Sequence, residues 1–219
     1  MTSKKILFIG DSITDAWRNE DSEEIGFGYV RMIRDYFITT YPNSTYDFIN
    51  KGISGNRISD LATRWEKDVI QLNPDYLSIS IGINDVWRQL DHPEMEQIHP
   101  EMFEEYYQQL LTKVKTDTKA QIILMEPTVI EEEILSIGNR MLKNYVEIVH
   151  KVAKEFQVKI VPTHQAFLQY LKSNPSYKLT TDGVHMNSAG NTLMANSWIR
   201  AVEETIEPTG EKSSQSVEM

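Results

Sequence analysis

The chain has 219 residues, no cysteine and a formal net charge of −10. The lack of cysteine excludes disulfides, thiolate metal sites and a cysteine nucleophile, and the acidic balance argues against nucleic acid, whose phosphates would be repelled. The sequence has no apolar run long enough to span a membrane, and no apolar secretory signal follows Met1, so we expect no membrane span and a cytoplasmic location.

The first strand and the turn after it organise the chain. The apolar run Ile6–Ile9 predicts a buried strand over residues 5–10, and Gly10 ends it. Ser12 then lies where a helix begins, at the carboxyl end of the strand, where open α/β sheets bind ligands. Serine is also a favoured N-cap, so this stretch alone leaves helix capping as the alternative to a nucleophilic role.

Apolar periodicity predicts that strands and helices alternate along the rest of the chain. Further strands are predicted over 46–50, 76–81, 121–125 and 158–161. Helices are predicted over 27–39, 59–72, 100–116, 138–156, 165–171 and 188–205. Repeated strand–helix–strand units indicate an α/β fold with a parallel sheet covered on both faces.

The remaining segments are predicted to be irregular. Residues 86–100 contain two prolines and two histidines and are interpreted as a long loop, a feature that is often functional. Phe27 is placed on the apolar face of the helix that follows the first loop, and Ser188 is predicted to cap the last helix. We expect a single domain over 1–206 and a disordered tail over 207–219.

Small polar groups gather at the predicted strand ends. Gly55 follows the second strand, Asn84 follows the third, and Asp182 and His185 lie in the loop before the last helix. Because the carboxyl ends of parallel strands meet at one edge of a sheet, we expect these groups to lie near Ser12.

This set of side chains suits acyl transfer. A serine hydroxyl needs a base to take its proton, a histidine does so near neutral pH, and an aspartate on the second ring nitrogen orients the histidine. The backbone N–H groups of Ser12 and Gly55 and the amide of Asn84 are the candidate donors to an oxyanion. Each of the four sequence blocks that carry these residues is alone a weak indication of a catalytic site, whereas the four blocks together, in this order, are a specific one.

The four blocks resemble the motifs of the SGNH hydrolases, also called the GDSL esterase/lipase family, over the chain to about residue 205. They are Gly-Asp-Ser at 10–12, Asn-Lys-Gly-Ile-Ser-Gly at 50–55, Gly-Ile-Asn-Asp at 82–85 and Asp-Gly-Val-His at 182–185. The resemblance implies a flavodoxin-like three-layer α/β/α sandwich with a five-stranded parallel sheet in the order 2-1-3-4-5. It implies no metal and no organic cofactor.

The resemblance also assigns roles. It implies Ser12 as the nucleophile, His185 as the base and Asp182 as the carboxylate that orients the base. It implies an oxyanion hole formed by the amides of Ser12 and Gly55 and the side chain of Asn84.

Two stretches narrow the substrate class. Residues 50–56 and 82–89 resemble intracellular acetylxylan esterases of this superfamily. That resemblance implies a serine esterase for short-chain acyl esters, acetyl above all, on carbohydrates such as xylo-oligosaccharides. The alternatives within the family are a lysophospholipase, a thioesterase or a general lipase, and a non-catalytic binding module is the alternative outside enzymes. The expected partner is therefore a small-molecule ester, and assembly into a homo-oligomer is left open.

Four side chains beside the motif blocks are candidate substrate contacts: Asp11, Trp17, Trp87 and Arg88. A tryptophan face and an arginine fork suit a sugar ring and its hydroxyls, although the same aromatics could simply pack the loops. One position departs from the acetylxylan esterase pattern, because an aromatic residue is expected directly before the aspartate and the chain has Thr181. The other four histidines, at 92, 99, 150 and 164, are predicted to be structural or exposed, without a metal-binding motif.

Overall fold

In the computed structural model, which describes residues 3–206, five parallel strands form one sheet. The strands are β1 (Lys4–Gly10), β2 (Tyr46–Gly52), β3 (Tyr76–Ser80), β4 (Gln121–Met125) and β5 (Lys159–Val161). Their order is β2-β1-β3-β4-β5, which confirms the predicted topology. The predicted tail, residues 207–219, lies outside the described residues.

The centre of the sheet is its most apolar part. Every side chain from Ile6 to Ile9 in β1 is fully buried, on both faces of the strand. Burying such side chains contributes roughly 1.5–3 kcal/mol each, which explains why a continuous apolar run marks a central parallel strand. In register, Leu7 lies between Ile49 of β2 and Leu77 of β3.

Helices cover both faces of the sheet, as the three-layer fold requires. The α-helices are α1 (Ser12–Asp15), α2 (Tyr29–Thr40), α3 (Ile58–Trp65), α4 (Ile83–Asp91), α5 (Pro100–Asp117), α6 (Ile137–Phe156), α7 (Thr163–Lys172) and α8 (Ser188–Val202). Helices α2, α7 and α8 pack together, as do α3, α4, α5 and α6, while α1 lies against the ends of β1 and β2. Within residues 3–206, no helix has both the length and the apolar character needed to cross a membrane.

The interpretation of 86–100 as a continuous loop is wrong, because α4 extends to Asp91. Its first turn is buried and includes the apolar residues Ile83 and Val86, three positions apart, whereas Arg88, Gln89 and Asp91 in its second half are partly or fully exposed. The residue before a proline is disfavoured in helical conformation, and the helix ends at His92, just before Pro93. Only residues 92–99 form the loop before α5.

Two smaller predictions are also wrong. Phe27 is 56% exposed and precedes α2 instead of packing on its inner face. Helix α8 is capped by Asn187, whose side-chain oxygen accepts from the N–H groups of Ala189 and Gly190, and Ser188 is its first helical residue. The helix predicted over 59–72 begins as α3 and continues as a π-helical turn, Glu66–Ile70.

Candidate active site

The strand register brings the predicted site residues to one edge of the sheet. Gly10, the last residue of β1, pairs with Gly52 of β2 and Ser80 of β3. The segments that carry Ser12, Gly55 and Asn84 therefore leave the sheet side by side, and the loop before α8 completes the group.

Ser12 is the first residue of α1, and its hydroxyl is not used to cap that helix. The cap is Asp11, whose carboxylate accepts a hydrogen bond of 3.0 Å from the N–H of Ile13. The Oγ of Ser12 instead lies 2.8 Å from Nε2 of His185. The alternative in which Ser12 only caps a helix is therefore wrong, and its hydroxyl faces the imidazole of His185.

His185 is held in turn by Asp182. Nδ1 of the imidazole lies 2.6 Å from one carboxylate oxygen, and the other oxygen accepts from the backbone N–H groups of His185 and Val184 at 2.7 and 3.0 Å. Burial acts to raise the pKa of Asp182, but these hydrogen bonds outweigh it and hold the pKa below its usual value. An ionised Asp182 keeps the ring proton on Nδ1, so Nε2 accepts from the Ser12 hydroxyl.

The bend between Asp182 and His185 depends on Gly183. Its φ of +95° lies in the region that residues with a side chain rarely adopt. Thr181 donates its N–H to the carbonyl of His185 at 2.8 Å, which closes the turn. A tight closed turn explains how an aspartate and a histidine three positions apart reach each other.

A carboxylate that sequence reasoning missed supports this turn. Glu132, in the segment between β4 and α6, accepts from the N–H of Leu179 at 3.0 Å, the N–H of Thr180 at 2.8 Å and the Thr180 hydroxyl at 2.5 Å. Next to it, Glu131 donates its N–H to the carbonyl of Gly183 at 2.8 Å. Glu132 stands in a run of three glutamates, a pattern that in sequence indicates only a solvated segment.

The three candidate oxyanion donors differ in how they are bonded. Within residues 3–206, the backbone N–H groups of Ser12 and Gly55 donate to no protein atom, and no atom lies within 4 Å of where a Cβ on Gly55 would stand. The Asn84 side chain is buried and donates to the carbonyl of Asn56 at 3.1 Å. An amide has two N–H groups, so this bond still leaves Asn84 one donor.

Two buried carboxyl groups lie behind this edge, on Asp11 and Asp85. Burial raises the pKa of each to about 7, although backbone N–H groups, from Ile13 and Ile58 respectively, partly offset it. Asp11 is 2% exposed and its carboxylate caps α1. This placement argues against the predicted contact of Asp11 with a substrate, because the group is turned into the protein.

A cavity of about 230 Å³ opens beside the Ser12–His185 pair. Its apolar lining includes Ile13, Trp17 and Phe27. Of the aromatic residues predicted to contact substrate, Trp17 lies in this wall and is 67% exposed.

Trp87 and Arg88 lie beside the histidine and not in the cavity wall. The Trp87 ring meets the His185 ring edge to face, with centroids 5.8 Å apart. The Arg88 guanidinium stacks over Trp87 at 4.8 Å and pairs with Asp91 at 2.6 Å. The Trp87 ring therefore packs on the base, and Arg88 packs on Trp87.

The four remaining histidines are structural or exposed, as predicted: His92 and His99 are exposed, and the other two bond groups of the protein. Nε2 of His150 lies 2.5 Å from the buried carboxylate of Glu126, and Nδ1 of His164 bonds the carbonyl of Thr128. Among the described residues, no group of three or more His, Asp or Glu side chains could hold a metal ion.

Comparison with known proteins agrees with this geometry. The profile of the GDSL-like lipase/acylhydrolase family matches residues 8–193. The acetylxylan esterase of Geobacillus stearothermophilus is 38% identical over 209 residues, which cover 92% of this chain and 94% of that protein. A crystal structure of that enzyme has a TM-score of 0.84 at 37% identity, covering 91% of this chain and 94% of the other.

A second enzyme with a solved structure is also similar. It is an alpha/beta hydrolase enzyme from the metagenome of Lake Arreo in Spain, with a TM-score of 0.86 at 32% identity over 94% of this chain and 99% of the other. For the Geobacillus esterase, solved variants described as catalytic mutants replace a serine, an aspartate or a histidine by alanine. In that protein two residues separate the aspartate from the histidine, and a tryptophan directly precedes the aspartate.

Proposed function

The chain belongs to the GDSL-like lipase/acylhydrolase family, and from that membership we propose that it is a serine esterase that removes acetyl groups from carbohydrate esters. Ser12 is the nucleophile, His185 the general base and Asp182 the group that orients the base. The observation that carries the proposal is the hydrogen-bonded chain Ser12–His185–Asp182, at 2.8 and 2.6 Å.

In the first half of the reaction, Ser12 Oγ attacks the ester carbonyl carbon while Nε2 of His185 takes the hydroxyl proton. The carbonyl oxygen becomes an oxyanion, which receives hydrogen bonds from the amides of Ser12 and Gly55 and from Asn84. When the tetrahedral intermediate collapses, the bond to the alcohol oxygen breaks and His185 gives its proton to that oxygen. The alcohol leaves, and the acyl group stays on Ser12.

In the second half, water takes the place of the alcohol. His185 removes a proton from the water as it attacks the acyl-enzyme, and the same oxyanion donors serve the second intermediate. Collapse breaks the bond to Ser12 Oγ, which regains its proton from His185, and the carboxylic acid is released. No metal or organic cofactor takes part in these steps.

The name of the Geobacillus relative supports the choice of substrate class. That protein is an acetylxylan esterase, described also as an acetyl-xylooligosaccharide esterase. The serine, aspartate and histidine of its catalytic mutants correspond in type and order to Ser12, Asp182 and His185, and the aspartate and histidine are three positions apart in both chains. Acetylated xylo-oligosaccharides are therefore the proposed substrate. Trp17, Trp87 and Arg88 remain the proposed residues near the sugar.

The first experiment measures hydrolysis of p-nitrophenyl esters from acetyl to long acyl chains, with Ser12→Ala and Ser173→Ala compared with the parent protein. Ser173 is exposed at the end of α7, away from the cavity. We expect activity to be highest on the acetyl ester and to fall by several orders of magnitude in Ser12→Ala alone, because the nucleophile is lost. Acetate release from acetylated xylo-oligosaccharides then tests the carbohydrate.

Two other results would redirect the proposal. A preference for long acyl chains would indicate a lysophospholipase, a thioesterase or a lipase of the same family. If no ester is hydrolysed in a Ser12-dependent reaction, the esterase proposal is refuted and a non-catalytic binding module remains.

A further inference from the structure

Two large aromatic side chains stand exposed in the wall of the cavity that reaches Ser12. Trp17 is 67% exposed and Phe27 is 56% exposed, and both line the cavity together with Ser12 and His185. Contiguous exposed apolar surface next to polar groups is typical of a binding site, whereas scattered apolar residues need no explanation.

The backbone that carries the first ring is strained. Ala16 and Trp17 follow each other in the left-handed region, with φ of 44° and 58°. Residues with a side chain rarely adopt this conformation, because the Cβ comes too close to the following carbonyl oxygen. Phe27 donates its N–H to the carbonyl of Ala16 at 2.9 Å, so the segments that carry the two rings are bonded to each other.

A rigid frame holds the second ring. Gly26, with φ of +79°, packs so closely that a Cβ there would stand 2.5 Å from the carbonyl oxygen of Asp15. The buried carboxylate of Asp21 accepts from the N–H groups of Ile25 and Gly26 at 3.0 Å each and is paired with Arg31. The rings are therefore fixed in an exposed position by backbone and charged groups.

We propose that Trp17 and Phe27 form an aromatic wall that binds the alcohol part of the ester, a pyranose ring. This inference rests on the proposed esterase function and names the side chains that give it its carbohydrate specificity. The flat face of an aromatic ring offers an apolar surface to the C–H face of a sugar. Ser54 and Thr181 share the cavity lining, and their hydroxyls donate to Asp15 and to the carbonyl of His185. A hydroxyl oxygen that donates its proton can still accept a hydrogen bond, here from a sugar hydroxyl.

The position next to the aspartate shows where the aromatic surface of this cavity lies. The Geobacillus esterase has a tryptophan directly before its aspartate, and this chain has Thr181 there, also in the cavity lining. The aromatic surface of the cavity therefore comes from Trp17 and Phe27 and not from the residue before Asp182.

The test compares two substrates of the intact protein, an acetylated xylo-oligosaccharide and ethyl acetate, whose alcohol part is too small to reach an aromatic wall. Trp17→Ala, Phe27→Ala and the control Ile38→Ala are each measured on both. Ile38 is 52% exposed on α2, outside the cavity lining. We expect the ratio of kcat/KM for the oligosaccharide to kcat/KM for ethyl acetate to fall about tenfold in Trp17→Ala and in Phe27→Ala, mainly through KM, and to stay constant in Ile38→Ala.

Several outcomes would overturn the wall. One is an equal loss on both substrates, which would show that the rings only support the site. Another is a ratio of the two kcat/KM values that stays constant in both aromatic variants. If that ratio is constant and Trp17→Ala also forms a smaller assembly in size-exclusion chromatography, the rings contact a second copy of the chain instead of the substrate. If the parent protein hydrolyses ethyl acetate through Ser12 but does not hydrolyse the oligosaccharide, the aromatic wall does not bind a sugar, whereas the proposed esterase activity is confirmed. Loss of Ser12-dependent turnover on both substrates is the separate failure of the proposed function.

Discussion

At the scale of single residues, the side chain of Asn84 joins the candidate oxyanion hole to the loop after β2. Its amide is buried and donates to the carbonyl of Asn56, next to Gly55. We predict that Asn84→Ala lowers kcat about 10²- to 10³-fold, because it removes one oxyanion donor and frees the loop that carries another. Steady-state kinetics on an acetyl ester measures the effect, with kcat and KM determined separately.

Gln89→Ala is the matched control for that experiment. Gln89 lies on the same helix and donates to the carbonyl of Asp85 and the hydroxyl of Tyr145. If both variants lose the same activity, the integrity of α4 explains the loss and Asn84 has no special part in the chemistry.

The sequence predicted which residues meet at this edge more reliably than it predicted their surroundings. Ser12, Asp182 and His185 could be placed together, because each follows from the position of a strand end or a tight turn. The buried state of Asp11 could not be predicted, since Asp11 and Ser12 are both good caps and only the packed structure shows which one is used. The exposure of Phe27 was missed for a similar reason, since its periodicity matches α2 but the helix starts two residues later.

At the scale of elements, the turn that carries Asp182 and His185 is supported from another part of the chain. The carboxylate of Glu132 accepts three hydrogen bonds from Leu179 and Thr180, at 2.5–3.0 Å. We predict that Glu132→Ala lowers kcat about tenfold or more at nearly constant KM, because a displaced His185 abstracts the proton of Ser12 less efficiently. The rate at which a fluorophosphonate labels Ser12 should fall in parallel.

Glu133→Ala is the control, since Glu133 is an exposed neighbour. Glu132→Gln keeps one oxygen that can accept from Thr180, and we expect it to recover part of the labelling rate. If Glu132→Ala is labelled as fast as the parent protein but unfolds at a lower temperature, Glu132 only stabilises the fold and does not position His185.

The sequence predicts the bounds of some of these elements correctly and those of others wrongly. The limits of β4 were predicted to the residue, and α5 begins at Pro100 as expected, because an apolar run and a proline at the first turn are strong local signals. Helix α4 was interpreted as a loop from residue 86 onward, because the prolines and histidines of 86–100 suggested an irregular segment and only one pair of apolar residues, Ile83 and Val86, is buried in the helix. The contacts of Glu132 join positions 47 and 48 residues apart, and no local pattern records them.

At the scale of the whole molecule, two buried acids set the pH dependence of stability in the neutral range. Burial is the largest effect on these two groups and raises the pKa of Asp11 and of Asp85 to about 7, to which the charge of Asp11 contributes in the case of Asp85. The folded protein therefore holds these protons at a pH where the unfolded chain has released them. Between the ordinary pKa of an aspartate, near 4, and a pH of about 7, the contribution of these two acids to the free energy of unfolding therefore falls as pH rises.

Asp85→Asn isolates one of these two acids. Asp85 is fully buried, accepts from the N–H of Ile58 and has Asp11 and Arg57 as its charged neighbours. Asparagine keeps an acceptor for Ile58 and cannot ionise, so we predict that the stability of the variant falls less steeply between pH 5 and 7 in denaturant titrations, by up to about 1.4 kcal/mol per pH unit. Asp47→Asn, at an exposed position on β2, should keep the slope of the parent protein. A slope that is the same in Asp85→Asn and the parent would mean that Asp85 stays ionised in the folded state, with Ile58 and Arg57 compensating for its burial.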